Sequence, residues 1–191
     1  MNPTALRPAV FLDRDGTVVE EVDYLARPEQ LRLIPGAASA IRALNEQGLA
    51  VVVVTNQSAI ARGMLTEDGL DAIHQRLTDM LAAEGAHLDA IYYCPHLTEG
   101  DLAPYDRPCD CRKPAPGMLL QAAKEHCIDL TVSTMIGDSL RDLDAGAAAG
   151  CKTLILVRTG HGVTEEAASA LRASFVAADL AAAVVELLSR S

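Results

Sequence analysis

Aromatic residues are scarce in this 191-residue chain: it has no tryptophan, two phenylalanines and four tyrosines, so any core must be built from Ala, Val, Leu and Ile. No apolar run approaches the 18 or more residues of a membrane span, and the longest near a strand is Leu49–Val54. Arg7, Pro8 and Asp13 interrupt the N-terminal region, which argues against a signal peptide and makes the cytoplasm the expected compartment. Cations are few as well: 16 Lys and Arg stand against 26 Asp and Glu, a net charge of -10. Such a surface repels phosphate backbones, so no nucleic-acid partner is expected, nor a membrane. The five cysteines are an odd number, and in a reducing compartment they read as ligands or buried thiols rather than disulfides. What is present is 50% apolar and 22% charged, the composition of a compact soluble protein. A chain of this size buries roughly 70% of its unfolded surface without staples. One domain spanning residues 1–191, working as a monomer, is therefore expected.

Short apolar runs at Ala9–Leu12, Leu49–Val54, Leu88–Tyr93, Val132–Ile136 and Thr153–Val157 end in polar residues or Gly, as buried parallel strands do. Helical patterns lie between them. Pro35-Gly36 precedes an Ala-rich segment ending at Gly48, and Thr66 with Glu67 and Asp68 forms a capped, acidic helix start running to about Glu84. Further helices open at Pro116 and Ser139. This alternation predicts an α/β fold with a doubly wound parallel sheet, whose ligand sits beyond the carboxyl ends of the strands. Cys94–Pro114 shows neither pattern, and loops that long are usually functional or independently stabilised.

The chemistry-bearing residues follow the strands. Asp13-Arg14-Asp15-Gly16-Thr17 puts two carboxylates at the sheet edge, where they repel each other unless a cation intervenes; a hard ion such as Mg²⁺ suits oxygen donors, although Asp-Gly also favours a simple turn. Thr55-Asn56-Gln57-Ser58 offers hydroxyl and amide groups to phosphate oxygens, or an ordinary helix cap. Gly137-Asp138-Ser139 adds a further acid after the fourth strand, with Asp142 one helical turn on. Lys113 is a compact cation able to balance phosphate and carboxylates. Cys94-x-His96 and Cys109-x-Cys111, twelve residues apart, supply three thiolates and one imidazole, a closed tetrahedral set suited to structural Zn²⁺, although the pair spacing is tighter than in most zinc knuckles. Cys127 and Cys151 read as buried thiols, and His74, His87, His126 and His161 have no evident role.

In this order Asp13-x-Asp15-Gly16-Thr17, Thr55-Asn56, Lys113 and Gly137-Asp138 with Asp142 resemble the four motifs of the haloacid-dehalogenase-like phosphatases, over about residues 8 to 160. Thr55–Gly63, Ile91–His96 and Cys109–Pro114 further resemble the D-glycero-D-manno-heptose 1,7-bisphosphate 7-phosphatases, whose members lack a large cap domain and carry a small zinc-bound loop instead. Ala59 stands where a Gly is common, and Ser139 where some members have a Lys able to reach phosphate. The resemblance implies that Asp13 is the nucleophile, forming an aspartyl phosphate, and that Asp15 protonates the leaving oxygen and then activates water. It implies Mg²⁺ held by Asp13, the Asp15 backbone carbonyl and Asp138, with Lys113 and Thr55 steadying the phosphoryl group. Glu21 to Tyr24, Asn56, Gln57, Ser58 and Ser139 would meet the sugar bisphosphate, and Arg112 its distal phosphate. The rivals are a histidinol-phosphate phosphatase, a polynucleotide 3′-phosphatase, which the acidic and aromatic-poor chain disfavours, and a catalytically silent zinc-stabilised binding module, which would have lost a motif acid.

Overall fold

Alternate residues of a strand face opposite sides of its sheet, and in β1 (Ala9–Leu12) both sides are apolar and buried. Val10 and Leu12 join one buried cluster, Ala9 and Phe11 another, so β1 belongs in the middle of a sheet covered on both faces. The computed structural model, which describes residues 6–190, has that sheet. β1, β2 (Ala50–Asn56), β3 (Ala90–Cys94), β4 (Thr134–Gly137), β5 (Thr153–Val157) and β6 (Phe175–Ala177) run parallel in the order β3-β2-β1-β4-β5-β6. The chain winds outward from β1 to β3, then returns to β4 and winds the other way. The switch point thus lies between β1 and β4, where an open α/β sheet leaves a crevice.

Seven helices are described: α1 (Ala37–Glu46), α2 (Ser58–Ala61), α3 (Glu67–Ala83), α4 (Gly117–His126), α5 (Leu140–Ala149), α6 (Gly162–Ser169) and α7 (Leu180–Ser189). α1, α3 and α7 bury Ile41, Leu44, Leu70, Ile73, Leu77, Leu180 and Val184 against the face bearing Val10 and Leu12. α4 places Met118, Leu119 and Ala122 on the opposite face with Phe11, Val52 and Val54. Among the described residues no helix is long and apolar enough to cross a membrane.

The strand and helix pattern matches the expectation from sequence, with instructive shifts. Thr66 caps α3 by accepting the Gly69 N–H at 3.1 Å, as its position before Glu67 and Asp68 implies. Val132, expected in a strand, lies in a 3₁₀ turn over Leu130–Val132. The reason is local: the Asp129 carboxylate accepts from Thr131 N–H at 2.9 Å, and such a bond competes with a strand ladder. The short α2, together with α6, β6 and α7, goes beyond what the sequence pattern indicated.

Candidate active site

Strand register delivers the acids together. Leu12 pairs with Val53 on one side and Ile136 on the other, so Asp13, Thr55 and Asp138 leave the sheet at one edge. Asp13 stays tied to β4 through its N–H, which donates to the Ile136 carbonyl at 3.0 Å. Lys113 comes from the long loop, and its Nζ lies 2.8 Å from Asp13 Oδ1 and 2.7 Å from Asp142 Oδ1 while donating to the Val54 carbonyl at 2.7 Å. Asn56 sets the Lys113 backbone: its amide donates to the Lys113 carbonyl and accepts from its N–H, both at 3.0 Å. Asp142 is fully buried, and its second oxygen accepts the Ser139 N–H at 3.0 Å, fixing the start of α5.

Negative charge outweighs positive in this crevice. Burial, opposed by Lys113 and reinforced by Asp142 and Asp15, pushes Asp13 up to about 6. Asp138 is likewise raised to about 6 by burial and by Asp13. Glu21, at the rim, reaches about 7 through burial and the neighbouring Asp15 and Asp138 carboxylates. Burial lowers Lys113, but Asp13 and Asp142 outweigh that and leave it raised, so it stays charged. One ammonium among these acids leaves a deficit that an oxygen-preferring cation would fill. Carboxylate oxygens of Asp13, Asp138 and Asp142 lie within 4.8 Å of one another, so the donor set fits a hard divalent ion. Glu21, Asp138 and His161 form a second such group sharing Asp138. The His161 N–H donates to Asp138 Oδ2 at 2.8 Å. A Cβ at Gly16 (φ 75°) or Gly160 (φ 55°) would run into that carboxylate, so both positions need glycine for space and for backbone angle.

Asp15 is held differently from Asp13. Arg14, almost wholly buried, donates Nε to Asp15 Oδ1 at 3.1 Å and Nη2 to Asp15 Oδ2 at 2.9 Å. Its Nη2 also reaches Gln57 Oε1 at 3.0 Å, and its Nη1 lies 3.3 Å from His74 Nε2. Because a guanidinium only donates, His74 Nε2 is the acceptor. Burial and Arg14 push His74 down to about 3, so it is neutral at ordinary pH. Gln57 Nε2 donates to both Asp15 Oδ2 at 3.0 Å and Thr55 Oγ1 at 2.8 Å. Arg14 and His74 carried no role in the sequence reading. Their signals were faint: an Arg between two acids, and a His in the apolar stripe of Leu70, Ile73 and Leu77 on α3.

A cavity of about 230 Å³ opens over these groups, lined by Asp13, Asp15, Glu21, Tyr24, Asn56, Gln57, Ser58, Lys113, Asp138, Ser139 and His161 among others. Of the expected substrate contacts, Asn56 and Gln57 have their amides engaged within the protein, and the Ser139 hydroxyl accepts from Arg141 Nε at 3.1 Å. Arg112 lines a neighbouring cavity of about 220 Å³ that also touches Lys113, and its Nη1 donates to the His96 carbonyl at 3.1 Å.

The four expected zinc ligands come together. Cys94, at the end of β3 beside Asn56, has its Sγ 3.5 Å from Cys109, 3.0 Å from Cys111 and 3.7 Å from His96 Nδ1; Nδ1 is also 3.3 Å from Cys111 Sγ. Ligands at about 2.0–2.3 Å from one centre would be separated by roughly 3.3–3.8 Å, so the set is the size of a tetrahedral zinc site, slightly contracted. All five cysteines are unbridged. Cys127 and Cys151, expected to be buried thiols, are half-buried, and burial pushes Cys151 up to about 12. A cation on His96 Nδ1 requires the ring proton on Nε2, where Arg107 Nη2 sits 3.0 Å away, so seating a metal displaces that guanidinium.

Sheet, switch-point acids and buried lysine together define a haloacid dehalogenase-like hydrolase. The family model of that description matches residues 10–74, and a second, for HAD-hydrolase-like proteins, matches residues 110–183. A Yersinia pestis protein, D-glycero-beta-D-manno-heptose-1,7-bisphosphate 7-phosphatase, is 47% identical over 163 residues, 85% of this chain and 87% of that one. The Escherichia coli K12 protein of the same name is 45% identical over 85% of each chain. The crystal structure of D,D-heptose 1,7-bisphosphate phosphatase from B. bronchiseptica, complexed with magnesium and phosphate, superposes with a TM-score of 0.86 at 40% identity, covering 96% of this chain and 99% of that one. Its counterpart from Burkholderia thailandensis gives 0.71 at 34% identity over the same shares. The chain belongs to the D-glycero-beta-D-manno-heptose-1,7-bisphosphate 7-phosphatase family.

Proposed function

We propose that this chain is a phosphatase that removes the C7 phosphate of D-glycero-D-manno-heptose 1,7-bisphosphate, a small sugar bisphosphate, with all six strands serving one catalytic domain. The observation that carries the reading is Lys113 Nζ held between Asp13 and Asp142 at the strand edge, where an anionic phosphoryl group would replace part of their charge. Asp13 attacks phosphorus through a carboxylate oxygen, and the bond from phosphorus to the C7 oxygen breaks. Asp15, as general acid, gives a proton to that oxygen, so heptose 1-phosphate leaves as an alcohol. Asp15 then takes a proton from water as that water attacks the aspartyl phosphate, releasing inorganic phosphate and restoring Asp13. Lys113 and Thr55 steady the equatorial oxygens; Thr55 Oγ1 accepts from Gln57, which leaves its own proton to donate outward. Mg²⁺ would be held by Asp13, Asp138 and the Asp15 carbonyl, and it supplies neutralisation of the phosphoryl charge. Zn²⁺ would be held by Cys94, His96, Cys109 and Cys111, ordering the loop that ends in Arg112 and Lys113. Arg112 meets the phosphate that is not transferred, while Glu21, Tyr24, Ser58 and Ser139 border the sugar.

The test is a comparison of kcat/KM for both anomers of the bisphosphate and for histidinol phosphate. A bisphosphate anomer should be turned over with the highest specificity constant; preference for histidinol phosphate would overturn the substrate assignment and leave the chemistry standing.

A further inference from the structure

We propose that Arg14 is a positioning residue: backed by Gln57 and His74, it clamps the Asp15 carboxylate so that Oδ1 is the one atom through which Asp15 exchanges its catalytic proton. The inference rests on the reading of Asp15 as acid and base. A carboxylate has about four lone-pair sites, two on each oxygen. Asp15 Oδ2 accepts from Arg14 Nη2 and Gln57 Nε2, so both of its sites are filled. Among the described residues Oδ1 accepts only from Arg14 Nε, which leaves one site there for a proton.

The clamp is built to resist rotation. Arg14 grips Asp15 with two parallel N–H groups, a planar match that Lys cannot make. Its remaining edge is fixed by Gln57 Oε1 and His74 Nε2, both deep in the protein. The Gln57 amide cannot turn over, because that would aim Oε1 at the Asp15 carboxylate and an N–H at the guanidinium. His74 is anchored on α3 and its ring packs 5.9 Å from that of Tyr93. A group gripped on three sides has one orientation, and a catalytic acid displaced by about 1 Å loses on the order of 10²-fold in rate.

The test is the dependence of kcat/KM on leaving-group acidity across p-nitrophenyl, phenyl and alkyl phosphates. This constant reports the steps up to departure of the alcohol, where a positioned acid matters most for poor leaving groups. Arg14→Met should lower phenyl and alkyl phosphates by on the order of 10²-fold and p-nitrophenyl phosphate by no more than about threefold, steepening the slope. Arg14→Lys should steepen it equally, since charge without the fork does not orient Asp15. Full recovery of the wild-type slope by Lys would overturn the clamp in favour of simple charge. Gln57→Leu and His74→Leu should steepen the slope less, and they decide the matter if the Arg14 variants fail to fold: an unchanged slope in both overturns the proposal. Asp15→Ala separates the two layers of the argument. If it leaves the slope flat, the acid assignment itself fails; if it steepens the slope while the Arg14, Gln57 and His74 variants do not, the clamp alone fails.

Discussion

Asp13, Thr55 and Asp138 are carried to the crevice by three adjacent strands, whereas Lys113 arrives near the end of residues 95–114, which have neither helix nor strand. The two regions are therefore held by opposite means. In the sheet, ladder hydrogen bonds and two apolar faces fix the backbone firmly enough to force like charges together, and burial leaves Asp13 and Asp138 raised to about 6. The loop buries little apolar surface; Cys94, His96, Cys109 and Cys111 come together in it, and the Asn56 amide grips Lys113. The regular part of the molecule holds the strain, and the irregular part supplies the cation that relieves it.

The comparison is tested most severely at Asp13. Asp13→Asn keeps the shape and removes the attacking charge, so kcat should fall on the order of 10⁴-fold or more, roughly 5 kcal/mol of transition-state stabilisation. Folding should be unharmed or improved, because one member of a repelling set is neutralised. Phosphate release and a thermal melt on the same sample check both halves. Near wild-type release would remove Asp13 from the chemistry, and a collapse in stability would show that the sheet does not hold its charges in the way described.

The loop should respond in the reverse sense. Wild-type protein should contain about one zinc per chain by elemental analysis, and Cys109→Ser should lose it together with about 3 kcal/mol of stability, roughly 6–12 °C in a chain of this size. Activity should fall with it, because the anchorage of Lys113 loosens, while the sheet core melts as one unit. A zinc-free wild-type protein of equal stability and full activity would erase the distinction between the two regions.

What could be read from the sequence divides along the same line. Parallel strands such as Ala9–Leu12 and Thr153–Val157 were legible because continuous apolar runs are the mark of burial on both faces. The acids were legible because they directly follow those runs, and the Cys and His cluster because ligand chemistry shows as residue type and spacing. β6 escaped because three residues carry no periodicity, and Val132 because one Asp129 side chain decided the turn. The Asp15 clamp was illegible for a different reason. Arg14, Gln57 and His74 are brought together by tertiary packing across 60 residues, and nothing local marks a histidine on an apolar stripe as an acceptor for an arginine.

Arg112 and Lys113 are neighbours in the loop for which different parts of the substrate are proposed. Arg112 lines the adjoining cavity and has no carboxylate partner among the described residues, whereas Lys113 is ion-paired twice. Arg112→Ala should reduce kcat/KM for the bisphosphate by about 10- to 100-fold, the loss of a charge-assisted contact worth roughly 1.5–3 kcal/mol, and leave p-nitrophenyl phosphate nearly unchanged. Lys113→Ala should depress both substrates, because each passes through the same phosphoryl transfer. Equal losses with Arg112→Ala would assign that residue to the chemistry.

The smallest effect concerns stability against pH. Asp138 has a folded pKa of about 6, raised from 3.8 by burial and then by Asp13. With the folded value above the unfolded one, the native protein binds more protons than the unfolded chain through this interval. The contribution is then fully present below about pH 4 and is lost as the pH rises through 6. Asp138→Asn cannot ionise and keeps an oxygen that can accept from the His161 N–H, so it should escape that loss. Without added magnesium, the variant should gain on wild type by about 1–3 kcal/mol between pH 4 and 7, a difference of a few degrees in Tm. Mg²⁺ favours the ionised carboxylate and should close the gap by stabilising wild type at pH 7 while leaving the variant little changed. Melting curves at four pH values, with and without Mg²⁺, decide it. If the two proteins run parallel from pH 4 to 7, Asp138 ionises without penalty in the fold, and the sheet edge is not the seat of repulsion that sets it apart from the loop.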